Sequence, residues 1–286
     1  MDSTAKMNLM GGEVEVVIYD IPENAAGRFF KEIEFEALRL QRVFNLFDPA
    51  SELSLLNRQR TIDASEELAE VVSLALPYCE ASGGAYDLSH GRKFLARKTG
   101  GQLPETNCSY RDIAVEGGKI SLLHPDVIVD LGSIAKGYVG DRIVGHMRRM
   151  GLRSGFVDAR GDMRVFGRHV EVVRIQHPRD RGRMSNPFVL DDMACATSGD
   201  YNQYWGSYEE SHLVGGGDFI SATVAAPTLA EADALATCVF LAGWGGADEL
   251  MGRFKEAKAY VFDREMKGQS YNGFDTMFLP EAEVGP

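Results

Sequence analysis

The stretch Ile113-Ala114-Val115-Glu116-Gly117-Gly118-Lys119-Ile120-Ser121-Leu122 decides the class of fold. Its apolar residues stand on either side of Gly117-Gly118, a dipeptide able to take the left-handed angles of a two-residue hairpin turn. Strands joined by so short a turn are antiparallel, which argues against a regular parallel sheet with crossover helices. Upstream, Leu68, Val72, Ala75 and Cys79 form one stripe of a helix that begins near Ser65 and stops at Gly83-Gly84. Further back, Val14, Val16 and Ile18 alternate as in a half-buried strand. Pro22 then opens a helix in which Ala26, Phe30, Ile33, Ala37, Leu40 and Phe44 recur every three or four residues. Downstream, Val127-Ile128-Val129 reads as a short strand running into a helix with Val139, Ile143 and Met147, closed by Gly151. Further strands are expected over 155–158, 170–175, 188–190 and 220–225, before Thr228 and Glu231 form a T-x-x-E capping box for a helix through Leu241. The expected fold is α+β, mixed or antiparallel sheets with packed helices. No composition break divides residues 1–286, so one domain is expected.

Charge and composition exclude several functions. Thirty basic residues against 42 acidic give a formal net charge of −12, which repels a phosphate backbone and speaks against general nucleic-acid binding. At 44% hydrophobic residues over 286 positions, the chain can bury a full core without disulfide staples. No run approaches the roughly 20 apolar residues of a membrane span. Met1-Asp2-Ser3-Thr4 shows neither a basic leader nor an apolar signal core, so the expected location is cytoplasmic, or periplasmic if a leader has been removed. The four cysteines form no C-x-x-C, which predicts neither a disulfide framework nor a structural zinc site. Cys79 and Cys238 fall within helical apolar patterns and read as buried, inert thiols.

Four polar segments stand out. Asp130-Leu131-Gly132-Ser133-Ile134-Ala135-Lys136-Gly137 lies where a strand hands over to a helix, a junction whose free N–H groups suit phosphate, with Lys136 adding a full charge. Its plainer reading has Ser133 as an N-cap and Lys136 in solvent. Asp233 and Thr237, at i and i+4, share a face of an Ala- and Leu-rich helix and offer hard oxygen ligands of the kind Mg²⁺ takes. The alternative is a threonine bonded back to its i−4 carbonyl beside a solvated aspartate. Gly83-Gly84-Ala85-Tyr86-Asp87 sets an aromatic ring next to a carboxylate after a helix end. Ala196-Thr197-Ser198-Gly199-Asp200-Tyr201 gathers two hydroxyls, a glycine and an aromatic ring; either segment reads equally as a turn.

Together and in this order, these segments resemble the FAD:protein FMN transferases, the ApbE-type flavin transferases. Phe47 to Asn57 is similar to that family's early segment with S-E-L-S and a closing Asn, and Tyr86-Asp87 to its F-D step. Asp130 to Gly137 is similar to its D-x-G-x-x-A-K-G, and Asp158 to Gly167 to its glycine-rich strand pair. Thr197 to Tyr201 resembles its S-G-D-Y, and Asp233-Ala234-Leu235-Ala236-Thr237 the D-A-L-A-T of its metal helix. The resemblance implies an ApbE-like, T-fold-like architecture. It also implies Mg²⁺-dependent transfer of FMN from FAD to a Thr or Ser hydroxyl of an acceptor flavoprotein, with release of AMP. By the same resemblance Met10, Phe47, Ala85, Tyr86, Asp87, Asp130, Lys136, Thr197 and Ser198 line the FAD site. Ser133, Asp233 and Thr237 hold the metal, and His212 is the general base, a task that suits its near-neutral pKa.

The chain departs from the family pattern at three places. Leu213-Val214-Gly215-Gly216-Gly217-Asp218 follows His212 where the family has D-P-x-T-G, leaving Asp218 as the nearest sequence candidate to orient the imidazole. Arg160 stands at the first glycine of the family's Gly-Gly step, and its M-G-T reads Met10-Gly11-Gly12. An Mg²⁺-dependent FAD pyrophosphatase and a non-catalytic FAD-binding protein use the same residues and remain alternatives.

Overall fold

In the computed structural model, which describes residues 1–180, 182–201, 204–205, 207–211 and 217–280, the deciding hairpin forms as expected. Along the chain, strands β1 (Ser3–Leu9) and β2 (Gly12–Ile18) precede helices α1 (Glu23–Phe44) and α2 (Glu52–Gln59). Strand β3 (Thr61–Asp63), helices α3 (Glu66–Ala81) and α4 (Gly91–Lys98), and the hairpin β4 (Ile113–Glu116) and β5 (Lys119–Leu122) follow. Then come helix α5 (Ala135–Arg149) and strands β6 (Gly155–Ala159), β7 (Asp162–Phe166), β8 (Val170–Val173), β9 (Phe188–Asp191) and β10 (Ala194–Gly199). The short pair β11 (Tyr204–Trp205) and β12 (Ser207–Ser211), strand β13 (Phe219–Ala226), helix α6 (Leu229–Arg253), and strands β14 (Lys258–Asp263) and β15 (Gly268–Tyr271) complete the order.

Eight strands form one antiparallel sheet in the order β1-β2-β6-β7-β10-β13-β14-β15. Alternation along each strand divides its side chains between two cores. Val157, Ala196 and Val224 face a large core under α1, α5 and α6, while Phe156, Cys195 and Ala225 face a smaller one closed by the β8–β9 hairpin. Covered on both faces, β13 is buried along its whole length. Helix α6 is apolar almost all round from Leu229 to Phe240, as a helix enclosed between a sheet and other helices must be.

The helix limits follow local chemistry. Ser65 caps α3 through Leu68 N, and Gly83 and Gly84 take left-handed angles just beyond its end. Thr228 accepts from Glu231 N, the forward half of the expected capping box. In α1 the buried ring is Phe29, with Phe30 half-buried against the core, because the stripe is wider than a strict i, i+4 reading. The expected strand at Val127–Val129 reduces to a single parallel bridge between Ile128 and His90. Thr197 and Ser198 lie inside strand β10 rather than in a turn, paired with Thr223 and Ala222 of β13. All four cysteines are buried and free. No helix among the described residues is long and apolar enough to cross a membrane.

Candidate active site

Helix α5 meets α6 at very close range. A β-carbon at Gly137 would lie 2.3 Å from Leu229 O, and one at Gly140 would lie 2.6 Å from Leu229 Cδ2. Next on the same face of α5, Asp141 accepts from Leu229 N at 2.9 Å and Ala230 N at 2.8 Å, capping α6 from a neighbouring helix. One turn into α6, Asp233 Oδ2 accepts from Gly137 N at 3.1 Å. The two helices are thus locked where Lys136 and Asp233 approach each other.

Lys136 emerges from this joint. Its ammonium bonds Asp162 on β7 and lies 4.0 Å from Asp233 Oδ1. Asp162 and Asp233 are 3% and 4% exposed, so two carboxylates share one ammonium away from bulk water. Burial lowers the lysine's pKa, but the two carboxylates outweigh it and the net shift is upward. Burial pushes the Asp233 carboxyl up to about 7; Asp162 adds to this, while Lys136 and the Gly137 N–H oppose it. With both acids ionised the trio carries one negative charge too many, and either a proton or a further cation corrects it. Hydroxyls complete the group: Ser198 Oγ lies 2.9 Å from Thr237 Oγ1, which also bonds back to Asp233 O at 3.4 Å. The back-bond of the plainer reading is therefore present, but Asp233 is not solvated. A carboxylate short of positive charge beside clustered hydroxyls fits a hard divalent cation.

These residues form the floor of a cavity of about 1150 Å3. Met10, Phe47, Ala85, Tyr86, Asp87, Asp130, Ser133, Lys136, Thr197, Ser198, Asp233 and Thr237 all line it. His212 lies outside the described residues. Phe47 is 52% exposed at the rim, with the Lys98 ammonium 3.5 Å from its ring centroid and Phe94 beside it. Tyr86 is buried next to Ser133, and burial raises its phenol strongly. Asp87 spends its carboxylate on the fold, accepting from Ser89 N and Tyr110 N at 2.8 and 3.0 Å. The Asn57 side chain bonds both the N–H and the C=O of Val129, fixing the segment that presents Asp130.

The junction from Asp130 to Gly137 differs from expectation. Gly132 N is taken by Asp130, Ile134 N and Ala135 N by Leu131 O, and Gly137 N by Asp233. Ser133 is not an N-cap, and α5 starts from Ile134 without a side-chain cap. Most of the donors expected to be open to phosphate are already satisfied, so positive charge here comes mainly from Lys136. Asp218 accepts from Trp244 N at 3.0 Å, where α6 bends at Gly243, so that carboxylate holds the bend. The sequence reading gave no role to Asp162, whose partner is distant in sequence, nor to Arg174, Gln176 and Met184, which reach the cavity from the loop between β8 and β9.

A family profile matches residues 10–261, and its family is ApbE. The chain belongs to the ApbE family. The FAD:protein FMN transferase of Haemophilus influenzae is 26% identical over 255 residues, covering 74% of this chain and 72% of that protein. The FAD:protein FMN transferase of Salmonella typhimurium is 27% identical over 265 residues, covering 81% and 74%. The ApbE protein of Thermotoga maritima superposes with a TM-score of 0.86 at 22% identity, over 98% of this chain and 100% of that one. The flavin transferase ApbE of Vibrio cholerae superposes with a TM-score of 0.81 at 20% identity, over 98% and 99%. At these identities the structural likeness establishes the fold: this ApbE family member has the mixed α/β, largely antiparallel architecture of those proteins.

Proposed function

We propose that this ApbE family member is an FAD:protein FMN transferase, moving FMN from FAD to a Thr or Ser hydroxyl of an acceptor flavoprotein and releasing AMP. The observation that carries the reading is the trio of Lys136, Asp162 and Asp233 beside Ser198 and Thr237 on the floor of a cavity large enough for a dinucleotide. Family membership and relatives that are FAD:protein FMN transferases support it.

Phosphoryl-type transfer rests on positioning and charge neutralisation. Lys136 supplies positive charge toward the pyrophosphate, while Phe47 and the Ala85–Asp87 step bound the space for the rings. Asp233, Thr237 and Ser133 would hold Mg²⁺, which supplies Lewis-acid charge stabilisation when bound. The acceptor hydroxyl oxygen forms a bond to the phosphorus of the FMN half, and the bond from that phosphorus to the bridging oxygen breaks. The bridging oxygen leaves with AMP, and the hydroxyl proton passes to a base, the role given to His212.

The test is to incubate the protein with FAD and Mg²⁺, with and without an acceptor domain. Covalent FMN on the acceptor together with AMP supports the proposal. AMP released without acceptor identifies an FAD pyrophosphatase, and intact FAD in both arms identifies a binding protein.

A further inference from the structure

The turn at Arg160-Gly161 runs against backbone preference. These two residues alone join β6 to β7, with Ala159 opposite Asp162, and both are left-handed, at φ 66° and 91°. The first position of such a turn favours Gly or Asn, because a larger side chain crowds the neighbouring carbonyl. Here it carries a long cationic side chain instead.

The adjacent turn makes room for that side chain. Met10-Gly11 joins β1 to β2 in the same way, at φ 50° and 79° with Leu9 opposite Gly12, and β2 pairs with β6. The two turns therefore stand side by side at one end of the sheet. The arginine lies across Gly12, where a β-carbon would fall 2.6 Å from Arg160 Cδ and 2.7 Å from Nε. Any larger residue at position 12 blocks this course. The departures at Gly12 and Arg160 are thus one structural change: a side chain lost from one turn opens the path for a side chain gained in the next.

Arg160 lines the cavity, and its guanidinium is close enough to Lys136 for its charge to act on that ammonium. Among the described residues the Arg160 guanidinium donates only to Gly11 O, at 3.4 Å from Nη1, and no carboxylate pairs with it. A guanidinium with no counter-ion among the described residues, beside a dinucleotide-sized cavity, is matched to phosphate oxygens.

We propose that Arg160 is an anion-recognition residue of this cavity, contacting a phosphate oxygen of the bound dinucleotide, and that Gly12 is the position that admits it. This rests on the reading of the cavity as an FAD site. The test is titration of the wild type, Arg160→Ala and Arg160→Gly with FAD, ADP and riboflavin. Affinity for FAD and ADP is expected to fall about tenfold in both variants, the loss of one charge-assisted contact, with riboflavin unchanged. Arg160→Gly relieves the left-handed turn, so its melting temperature should equal or exceed that of the wild type while affinity drops. A merely structural arginine would not separate the two readouts. Gly12→Thr should weaken FAD binding when Arg160 is present and add nothing in the Arg160→Gly background.

Unchanged FAD and ADP affinity in both arginine variants overturns the proposal, as does an equal loss for riboflavin. Additive losses in the double variant overturn the coupling to Gly12. If the wild type binds ADP but no flavin, the transferase reading fails and Arg160 is judged on the ADP series alone. A wild type that binds neither ends both.

Discussion

Asp233 is where residue-scale electrostatics is most exposed to experiment. Its folded pKa of about 7 stands above the ordinary carboxylate value of 3.8, so the folded state holds the extra proton between those limits. Metal-free protein should therefore lose stability from this group as pH rises from about 4 to about 7, the sign set by the raised pKa. A divalent cation needs the ionised form, so stabilisation by added Mg²⁺ should be larger at pH 8 than at pH 5. Asp233→Asn removes the unfavourable charge, and metal-free stability at pH 8 should match or exceed that of the wild type while the response to Mg²⁺ disappears. Thermal melts with and without Mg²⁺ at both pH values check this; an asparagine variant that still responds fully to Mg²⁺ refutes the ligand assignment. Lys136→Ala has the opposite sign, leaving two buried carboxylates without their ammonium. It should cost about 3 kcal/mol at neutral pH and less at pH 5, where Asp233 is protonated, as read by urea denaturation. Its FAD affinity should fall and respond less to salt than that of the wild type; an unchanged salt series removes Lys136 from phosphate binding.

At the scale of elements, the joint between α5 and α6 carries the argument. Gly137, Gly140 and Asp141 lie on one face of α5, where the two glycines admit the backbone of Leu229 and the aspartate caps the incoming helix. A methyl group at position 137 has no soft side chain to displace, because it meets Leu229 O and the Ala230 backbone. Gly137→Ala should therefore destabilise the fold by about 3 kcal/mol, at the upper end for overpacking, and weaken the Mg²⁺ response by moving Asp233. A wild-type denaturation midpoint for this variant would mean that the helices slide freely, contrary to the joint described here. Both helices were visible in the sequence, α5 as a periodic apolar stripe and α6 through the Thr228–Glu231 capping motif. Their contact was not, because Gly137 and Leu229 are 92 positions apart and a glycine leaves no pattern of its own.

Across the whole molecule, the sheet separates the duties of the site. Strands β7 and β10 bring Asp162 and Ser198 from one side, and helices α5 and α6 bring Lys136, Asp233 and Thr237 from the other. The proposed base belongs to a different segment, the connection between β12 and β13. His212→Ala should consequently leave FAD affinity nearly intact while slowing transfer to an acceptor by about 10²–10⁴-fold. Fluorescence titration and an acceptor-flavinylation time course separate the two, and transfer at the wild-type rate would assign the base elsewhere.

Taken alone, the sequence determined the α+β class, the main helices and the residues that come to share one cavity. Hairpin turns, apolar periods and short motifs are local and can be read in place. Antiparallel pairing of β10 with β13 was hidden, because Thr197-Ser198-Gly199 has turn-like composition and only neighbouring strands give it an extended partner. The tertiary structure alone decided which charges meet. Asp162 becomes the partner of Lys136, four N–H groups of the α5 junction are used internally, and Arg160 crosses Gly12 toward the cavity. The meetings of Lys136 with Asp162, of Gly137 with Asp233 and of Arg160 with Gly12 depend on distance through space between residues far apart in the chain, and burial then fixes the strength of the charges that are brought together.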